Sequence, residues 1–278
     1  ILLLQEIDVD SKRSAYLDEV KYLLDETHLN YGVFASMWQA QVIPSDGLGR
    51  VNTGNAILSR WKLTEAERIQ LDLMSDQDDL EQYFYLRRNI IKAKVEIPNQ
   101  DSLYAINTHL TAFATDDTKE KHVKEFELTL ENLNNAGFKF VSGGDLNSLP
   151  PVNPGDSIPD FCINDKCDEE TFHHETDSGP HKAGSYFEND LDENTWLQPL
   201  YDIYQSGVPE GNRNDPEHFT HSPGTGENEN GELYLDRKLD YLFTNLNIEP
   251  GSGNTILEMI EISDHVPVIM NVILSEDN

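Results

Sequence analysis

"VSGGDLNSLP", residues 141–150, joins an apolar run to a pair of glycines and then to two polar side chains. The apolar run begins at Phe138 and predicts a buried strand. The two glycines relax the backbone at the end of that strand. Asp145 and Asn147 follow, one residue apart. This placement of an acid and an amide at the end of a buried strand is the pattern from which the rest of the chain can be interpreted.

The composition is that of a folded and strongly acidic protein. The chain has 278 residues, 37% of them hydrophobic, and a formal net charge of −31. A hydrophobic fraction of this size supports a buried core, while the charge repels nucleic acid and anionic membranes at long range. We therefore predict no stable nucleic-acid partner. We expect a monomer.

No apolar run approaches the roughly 20 residues that a transmembrane helix requires. No signal peptide is visible, but the sequence begins at Ile1 without an initiating methionine, so we expect further residues before it. A signal peptide there would make the protein secreted or periplasmic. Cys162 and Cys167 lie close together in a loop-like stretch, and their spacing is compatible with a local disulfide or with two free thiols.

Periodicity predicts a chain of interleaved strands and helices followed by a region richer in strands. The predicted helices cover residues 12–26 and 117–135, with a short one within 195–204. Residues 151–218 are rich in Pro, Gly, Asp and Asn and show little periodicity, which is typical of a long functional loop. A last strand is predicted over 266–274. We interpret the chain as one domain with a long insertion.

Several of the predicted strands end in an acid, an amide or an imidazole. Any one of these residues has a structural explanation, such as a helix cap for Glu6 or a hydrogen-bonded core position for His109. Asp240 is harder to explain in this way, because an aspartate within the strand "KLDYLF" needs a partner when buried. An imidazole is a natural partner. Taken together, the strand-end residues combine hard oxygen ligands, proton-transfer groups and a neutral donor: Glu6, His109, Asp145, Asn147, Asp240, Asp264 and His265.

The order of six short blocks resembles the endonuclease/exonuclease/phosphatase superfamily. The blocks are "LLLQE", "NTGNAILSR", "YAINTHL", "VSGGDLNSLP", "DRKLDYLF" and "SDHVPV", spread along most of the chain. The resemblance implies an α/β fold, a four-layered sandwich of two packed mixed β-sheets flanked by helices. It also implies a site on the loops at one end of the sheets. The superfamily's first strand, which carries an Asn, has no counterpart here, so we expect it to be missing from the sequence.

The resemblance also implies a role for each matching residue. Glu6 and Asp264 correspond to metal-site acids, with Mg²⁺, or Mn²⁺ or Ca²⁺, as the expected ion. Asp145 corresponds to the acid that orients or deprotonates the attacking water. The other catalytic positions are Asn147, which contacts the phosphoryl oxygens; His109, which contacts the phosphate or protonates the leaving oxygen; and Asp240, which orients His265. Either Asp145 or His265 could be the general base. Substrate contacts are implied for Asn55 and Arg88, and support of the site for Thr220.

The function that follows is a metal-dependent phosphoesterase acting by in-line attack of water. A small phosphomonoester or phosphodiester fits the acidic surface best. The alternatives are a nuclease, a sphingomyelinase-like lipid phosphodiesterase and a non-catalytic binding protein.

Overall fold

The description rests on a computed structural model that covers most of the chain. It describes residues 1–43, 47–75, 77–112, 114, 116–151, 172–176, 179–182, 193–208, 215–222 and 231–274. Cys162 and Cys167 lie outside the described residues, as does most of the predicted insertion, so the disulfide and the extent of the insertion stay predictions. None of the helices in the described ranges combines the length and apolar character needed to cross a bilayer.

The described residues form fifteen strands and four α-helices. The helices are α1 (Glu19–Glu26), α2 (Asp79–Phe84), α3 (Thr118–Asn135) and α4 (Gln198–Ile203). The strands are β1 (Leu2–Asp8), β2 (Tyr31–Ile43), β3 (Gly47–Ser59), β4 (Lys62–Gln70), β5 (Asn89–Glu96), β6 (Leu103–His109), β7 (Lys139–Asp145), β8 (Phe172–Thr176), β9 (Gly179–Lys182), β10 (Gln205–Ser206), β11 (Asp240–Thr244), β12 (Asn247–Ile248), β13 (Asn254–Thr255), β14 (Val268–Ile269) and β15 (Val272–Ile273).

Two sheets form the centre of the molecule. One has the order β1-β3-β2 and is antiparallel, and the other has the order β10-β11-β7-β6-β5-β4. The second sheet is mixed, because β6 and β7 run parallel while its other neighbours are antiparallel. Three further two-stranded ladders complete the described strands: β8-β9, β12-β15 and β13-β14.

The apolar side chains form two cores on opposite faces of the six-stranded sheet. Ile57 of β3 and Val95 of β5 belong to the core between the two sheets. Phe126 and Leu130 of α3 pack with Phe140 of β7 on the outer face. On the far side, α1 packs over Gly32 of β2, where a Cβ atom would lie 3.3 Å from side-chain carbons of Val20 and Leu24. The layers are therefore helix, sheet, sheet and helix, and the predicted four-layered α/β sandwich is confirmed, with one sheet mixed and the other antiparallel.

The helix predicted over residues 12–26 is shorter than its pattern indicates. Residues 12–14 form a 3-10 turn, and Ala15 and Tyr16 then adopt positive φ angles of 52° and 64°. The helix begins only at Glu19, where the Asp18 carboxylate accepts from the Lys21 amide at 2.9 Å. Ser11 exchanges hydrogen bonds between its hydroxyl and the backbone of Asn52 instead of capping a helix over residues 12–26. Tertiary contact with β3 therefore overrides the local cap.

The last predicted strand, residues 266–274, was wrong as a single element. The segment forms two short strands, β14 and β15, which pair with different partners, β13 and β12. Met270, between them, packs against the inter-sheet core together with Val272. A continuous apolar run does not distinguish one long strand from two short ones that change partners.

Candidate active site

The polar strand ends converge because three strands meet at one edge of the six-stranded sheet. His109 ends β6 and pairs directly with Asp145, which ends the parallel strand β7. Asp240 begins the antiparallel strand β11 and pairs with Asp145 from the other side. Parallel strands place their carboxyl ends together, and an antiparallel neighbour contributes its first residue at the same edge. The register therefore places the three side chains on adjacent backbones.

Gly143 and Gly144 leave no room for a side chain, because neighbouring backbone lies against each of them. A Cβ atom on Gly144 would lie 2.0 Å from the Thr108 carbonyl oxygen, and Gly144 has a φ of +133°. A Cβ atom on Gly143 would lie 2.2 Å from the Tyr241 carbonyl oxygen. The two glycines thus allow β6 and β11 to approach β7, and this approach brings the acids and the imidazole together.

His109 and Asp145 form a buried pair. The Nε2 atom of His109 lies 3.1 Å from Oδ2 of Asp145, and both side chains are buried. Burial, and then the positive charge of Arg88, lowers the pKa of His109, while the Asp145 carboxylate offsets this only in part. Burial alone would raise the pKa of Asp145, but the His109 and His265 charges and the hydrogen bonds it accepts outweigh burial and lower it. The pair therefore favours a neutral imidazole beside a carboxylate.

His265 and Asp240 form a second pair with the opposite charge balance. The Nδ1 atom of His265 lies 2.8 Å from Oδ2 of Asp240. Burial alone would lower the pKa of His265, but the charges of Asp240, Asp145 and Asp264 and the hydrogen bond outweigh it and raise the pKa to about 10. Thr220 supports this pair, because its Oγ1 accepts from the backbone amide of Asp240 at 3.0 Å. The arrangement holds a protonated imidazole between carboxylates.

Asn147 adopts a φ of 47°, in the left-handed region that asparagine tolerates. Its backbone amide donates to Oδ1 of Asp145 at 2.8 Å. Its side-chain Nδ2 donates to the Leu110 carbonyl at 3.0 Å and to Oδ2 of Asp145 at 3.1 Å. These bonds orient the Asp145 carboxylate. The predicted contact between Asn147 and a phosphoryl oxygen stays a prediction.

The two predicted metal-site acids lie on opposite sides of the paired residues. Glu6 sits at a bulge in β1 with a φ of 54°, and its Oε1 is 3.9 Å from Nδ1 of His109. Arg13 also approaches Glu6, at 3.7 Å. Asp264 is exposed and lies next to His265 in the chain. Neither belongs to the group of close metal-capable atoms found among the described residues, so their joint role as ligands stays a prediction.

The two predicted substrate contacts are both buried. Asn55 is fully buried between the sheets, and its Nδ2 donates to the Asn89 carbonyl at 3.1 Å, which links β3 to the start of β5. Arg88 is also buried, and its charge lowers the pKa values of both His109 and His122. Arg88 therefore lies near the paired residues, whereas Asn55 has a sheet-to-sheet contact. Their contacts with a substrate stay predictions.

Comparison with known proteins identifies the architecture. No protein-family model matches the sequence. No curated protein is significantly similar to it in sequence. Among solved structures, an endonuclease/exonuclease/phosphatase from Beutenbergia cavernae DSM 12333 superposes with a TM-score of 0.59 at 19% identity, over 98% of this chain and 62% of that one. The chain has the endonuclease/exonuclease/phosphatase fold.

A second similar structure is that of a functionally unknown conserved protein from Enterococcus faecalis V583. It superposes with a TM-score of 0.50 at 16% identity, over 98% of this chain and 84% of that one. The chain spans less than two thirds of the Beutenbergia protein's length. The resemblance to the superfamily is confirmed at the level of the fold.

Within this fold, a group of metal-capable atoms includes residues other than those predicted as ligands. Asp145, Asp240 and His265 each offer one ligand atom, and these atoms lie within 4.8 Å of one another. In addition, Nδ1 of His109 is buried without a hydrogen-bond partner and faces the Glu6 carboxylate. Several carboxylates next to an imidazole nitrogen that has no hydrogen-bond partner suit a hard divalent cation. The donor set at this edge of the endonuclease/exonuclease/phosphatase fold therefore fits the expected ion.

Two residues beside the site were missed in the sequence. Nδ1 of His221 lies 3.0 Å from Oδ1 of Asp236, and the His221 ring contacts the His265 ring with centroids 5.1 Å apart. The signal was present, because His221 directly follows Thr220 and Asp236 directly precedes the "RKLDYLF" stretch. A histidine in an irregular segment carries no periodicity, so only the tertiary structure shows its partner.

Proposed function

We propose that the protein is a hydrolase of phosphate esters that acts by in-line attack of water. The observation that carries this proposal is the convergence of two imidazole–carboxylate pairs, His109–Asp145 and His265–Asp240, whose carboxylates lie opposite each other on the paired strands β7 and β11. A pair with a lowered histidine pKa next to one with a raised pKa is an arrangement suited to moving protons at neutral pH. The fold is consistent with this chemistry but does not establish it.

The residues divide into proton-transfer and charge-stabilising groups. Asp145, held by Asn147 and His109, is placed to orient or deprotonate a water molecule. His265, held by Asp240, carries positive charge that would stabilise the phosphoryl oxygens or protonate the leaving oxygen. Because His265 is protonated, we propose that Asp145 is the one of the two that acts on the water, and its lowered pKa favours orienting the water over deprotonating it. His109 would accept or share a proton next to Asp145.

A divalent ion completes the proposal. The carboxylates of Asp145 and Asp240 lie close enough together to share an ion. Glu6 and Asp264 are the further oxygen ligands that we propose for Mg²⁺, Mn²⁺ or Ca²⁺. When bound, such an ion would neutralise charge on the phosphoryl oxygens. The chain's own side chains would orient the water and manage its protons.

A small phosphate ester is the substrate that the charges favour. The net charge of −31 opposes a polyanion at long range. Two arginines near the site already serve carboxylates, because Arg13 donates to Asp8 at 2.8 Å and Arg237 donates to Asp236 at 3.0 Å. A duplex needs several cationic contacts to its phosphates. We therefore propose a substrate with one reacting phosphate and little further negative charge.

The first prediction tests the proposed roles of Asp145 and His265. Asp145→Asn and His265→Gln should each lower kcat by about 100-fold or more, because each removes a group that handles protons or charge. The assay is hydrolysis of bis(para-nitrophenyl) phosphate and para-nitrophenyl phosphate with added Mg²⁺. Asp101→Asn and His28→Gln are matched controls on the exposed surface and should retain the wild-type rate.

Near-normal rates in both site variants would overturn the proposed roles. Chelation with EDTA should abolish hydrolysis, and Mg²⁺, Mn²⁺ or Ca²⁺ should restore it; retention of activity in EDTA would remove the ion from the proposal. Plasmid DNA and sphingomyelin vesicles, assayed in parallel, separate the substrate classes. Preferential cleavage of plasmid DNA or of sphingomyelin would show that the substrate is not a small ester. The proposed roles of the catalytic residues would be unaffected.

A further inference from the structure

A third imidazole–carboxylate pair lies beside the two that the proposed reaction uses. His221 and Asp236 are joined through Nδ1 and Oδ1 at 3.0 Å. Asp236 is fully buried, and its other oxygen accepts from Nε of Arg237 at 3.0 Å. An acid held by an imidazole and a guanidinium has little freedom to move, so it fixes the orientation of the His221 ring.

The backbone ties this pair to the segment that carries His265. His221 and His265 pair as an isolated antiparallel bridge. The amide of Ser222 donates to the Asp264 carbonyl at 2.7 Å, and the amide of Val266 donates to the Thr220 carbonyl at 2.8 Å. The two histidines therefore keep a fixed backbone separation.

Further backbone hydrogen bonds join Thr220 and His221 to the residues that precede β11. The amides of Thr220 and His221 both donate to the Arg237 carbonyl, at 2.8 Å and 3.0 Å. The amide of Asp236 donates back to the His221 carbonyl at 2.9 Å. The segment thus lies between the strand that carries Asp240 and the loop that carries His265.

The rings themselves meet. The His221 and His265 ring centroids are 5.1 Å apart at an interplanar angle of 76°, an edge-to-face contact. The hydrogen bond to Asp240 holds one nitrogen of His265 but does not by itself fix the plane of the ring. The His221 ring packs against the His265 ring and supplies a contact that the hydrogen bond does not.

We propose that the Asp236–His221 pair positions the His265 imidazole for the proposed phosphoester hydrolysis. Asp236 fixes the His221 ring, and the His221 ring fixes the plane of His265. This inference rests on the proposed function for its catalytic consequence. His221 is a positioning residue that acts through His265, and not a further proton donor.

The kinetic test compares a variant that removes the ring with one that keeps it. His221→Ala should lower kcat by about 10- to 100-fold with KM changed by less than about threefold, because a misplaced catalytic group affects the chemical step. His221→Phe should recover part of the lost activity, since it retains an aromatic ring against His265 but loses the hydrogen bond to Asp236. If His221→Phe recovers none of the activity lost in His221→Ala, then contact between the two rings does not carry the effect and the positioning role is wrong.

A double-mutant comparison tests whether the effect passes through His265. In a His265→Gln background, His221→Ala should cause no further loss of kcat, because no imidazole remains to be positioned. An additive loss would contradict the proposal. His218→Ala, in the same segment, is the matched control and should leave kcat unchanged. Thermal unfolding of each variant identifies any loss of the fold.

A spectroscopic measurement separates this inference from the proposed function. In the histidine-labelled protein, NMR resonances of the His265 ring should shift or broaden in His221→Ala and stay unchanged in His218→Ala. Unchanged His265 resonances in His221→Ala would overturn the inference. Wild-type inactivity on every phosphate ester would instead overturn the proposed function, and the NMR result would still decide whether His221 positions His265.

Discussion

The two imidazoles of the proposed site differ because their neighbours differ. His109 is enclosed with Arg88 nearby, so burial and a like charge both disfavour its protonated form. His265 lies among three aspartates, which outweigh its burial and favour the protonated form. Opposite environments at adjacent strand ends allow one residue type to serve two roles. The protonation of each histidine is therefore set by the charged groups around its ring.

Lys238, a buried lysine beside the site, has unfavourable energetics. Nζ of Lys238 is buried without a hydrogen-bond partner, and it lies 5.1 Å from the centroid of the Tyr241 ring. Burial lowers its pKa to about 8, and the Asp240 charge opposes that shift. At neutral pH the ammonium is therefore charged and desolvated. A cation–π contact compensates only part of such a cost.

The second prediction follows from this imbalance. Lys238→Met should raise the free energy of unfolding by about 1–3 kcal/mol at pH 7, because an apolar chain of similar volume replaces a desolvated charge. Urea denaturation followed by tryptophan fluorescence measures it. Lys92→Met, which removes a partly exposed ion pair with Glu67, is the control and should change stability by less than about 1 kcal/mol. Destabilisation by Lys238→Met would show that its ammonium is compensated.

At the scale of the element, α3 is docked by polar contacts as well as by its apolar stripe. Lys119 forms a buried ion pair with Glu193 at 2.7 Å, and Glu193 also accepts from the Leu149 amide. These contacts tie α3 to the chain after β7 and to the 3-10 turn at residues 193–195. His122 adds a third contact, because its Nε2 lies 2.8 Å from the Asp72 carbonyl.

The third prediction uses the His122 contacts. Its Nδ1 accepts from the Thr111 amide at 3.3 Å, so Nε2 donates and the ring is neutral. Burial, with a smaller effect of the Arg88 charge, lowers its pKa to about 4. A folded pKa below the unfolded value of about 6.5 gives stability that is present above pH 6.5 and lost as pH falls towards 4. The loss is on the order of 3 kcal/mol.

The measurement is the free energy of unfolding between pH 7 and pH 4. His122→Gln removes the titrating group, so its stability should fall less steeply with acid than that of the wild type. His28→Gln, at an exposed position, should follow the wild-type curve. Parallel curves for wild type and His122→Gln would show that His122 does not contribute to the acid sensitivity.

At the scale of the whole molecule, the acidic surplus dominates. Ion pairs such as Lys62–Glu96 and Lys94–Glu65 link β4 to β5 on the surface. Yet 51 acidic residues face only 20 basic ones, so most carboxylates repel one another without a cationic partner. Such self-repulsion destabilises the compact state, and salt screens it.

The fourth prediction is that salt stabilises the protein. Raising NaCl from about 0.01 M to about 0.5 M shortens the Debye length from roughly 30 Å to a few Å. The free energy of unfolding should rise by on the order of 1 kcal/mol or more as repulsion is screened. Urea midpoints at each salt concentration measure it, and sucrose at matched osmolarity controls for solute exclusion. A fall in stability with salt would show that the surface ion pairs outweigh the repulsion.

Local sequence pattern predicted correctly the elements that depend on residues close together in the chain. The start of helix α3 was predicted within one residue of its observed position, because apolar residues such as Phe126 and Leu130 recur at helical spacing. The first helix was placed too early because Ser11 binds β3 instead of capping, and the last strand divided because its halves pair with different partners. Both errors come from contacts between residues far apart in the chain.

By itself, the sequence determined the element types, the acidic surface and the polar residues at the strand ends. The tertiary structure decided which of these residues meet: Asp145 with His109 and Asp240 through strand register, and His265 with His221 through an isolated bridge. The physical reason is that the periodicity of apolar residues indicates which face of a helix or strand each side chain occupies. Register, close approach at glycines and the charge around an imidazole depend instead on strands that are distant in the chain.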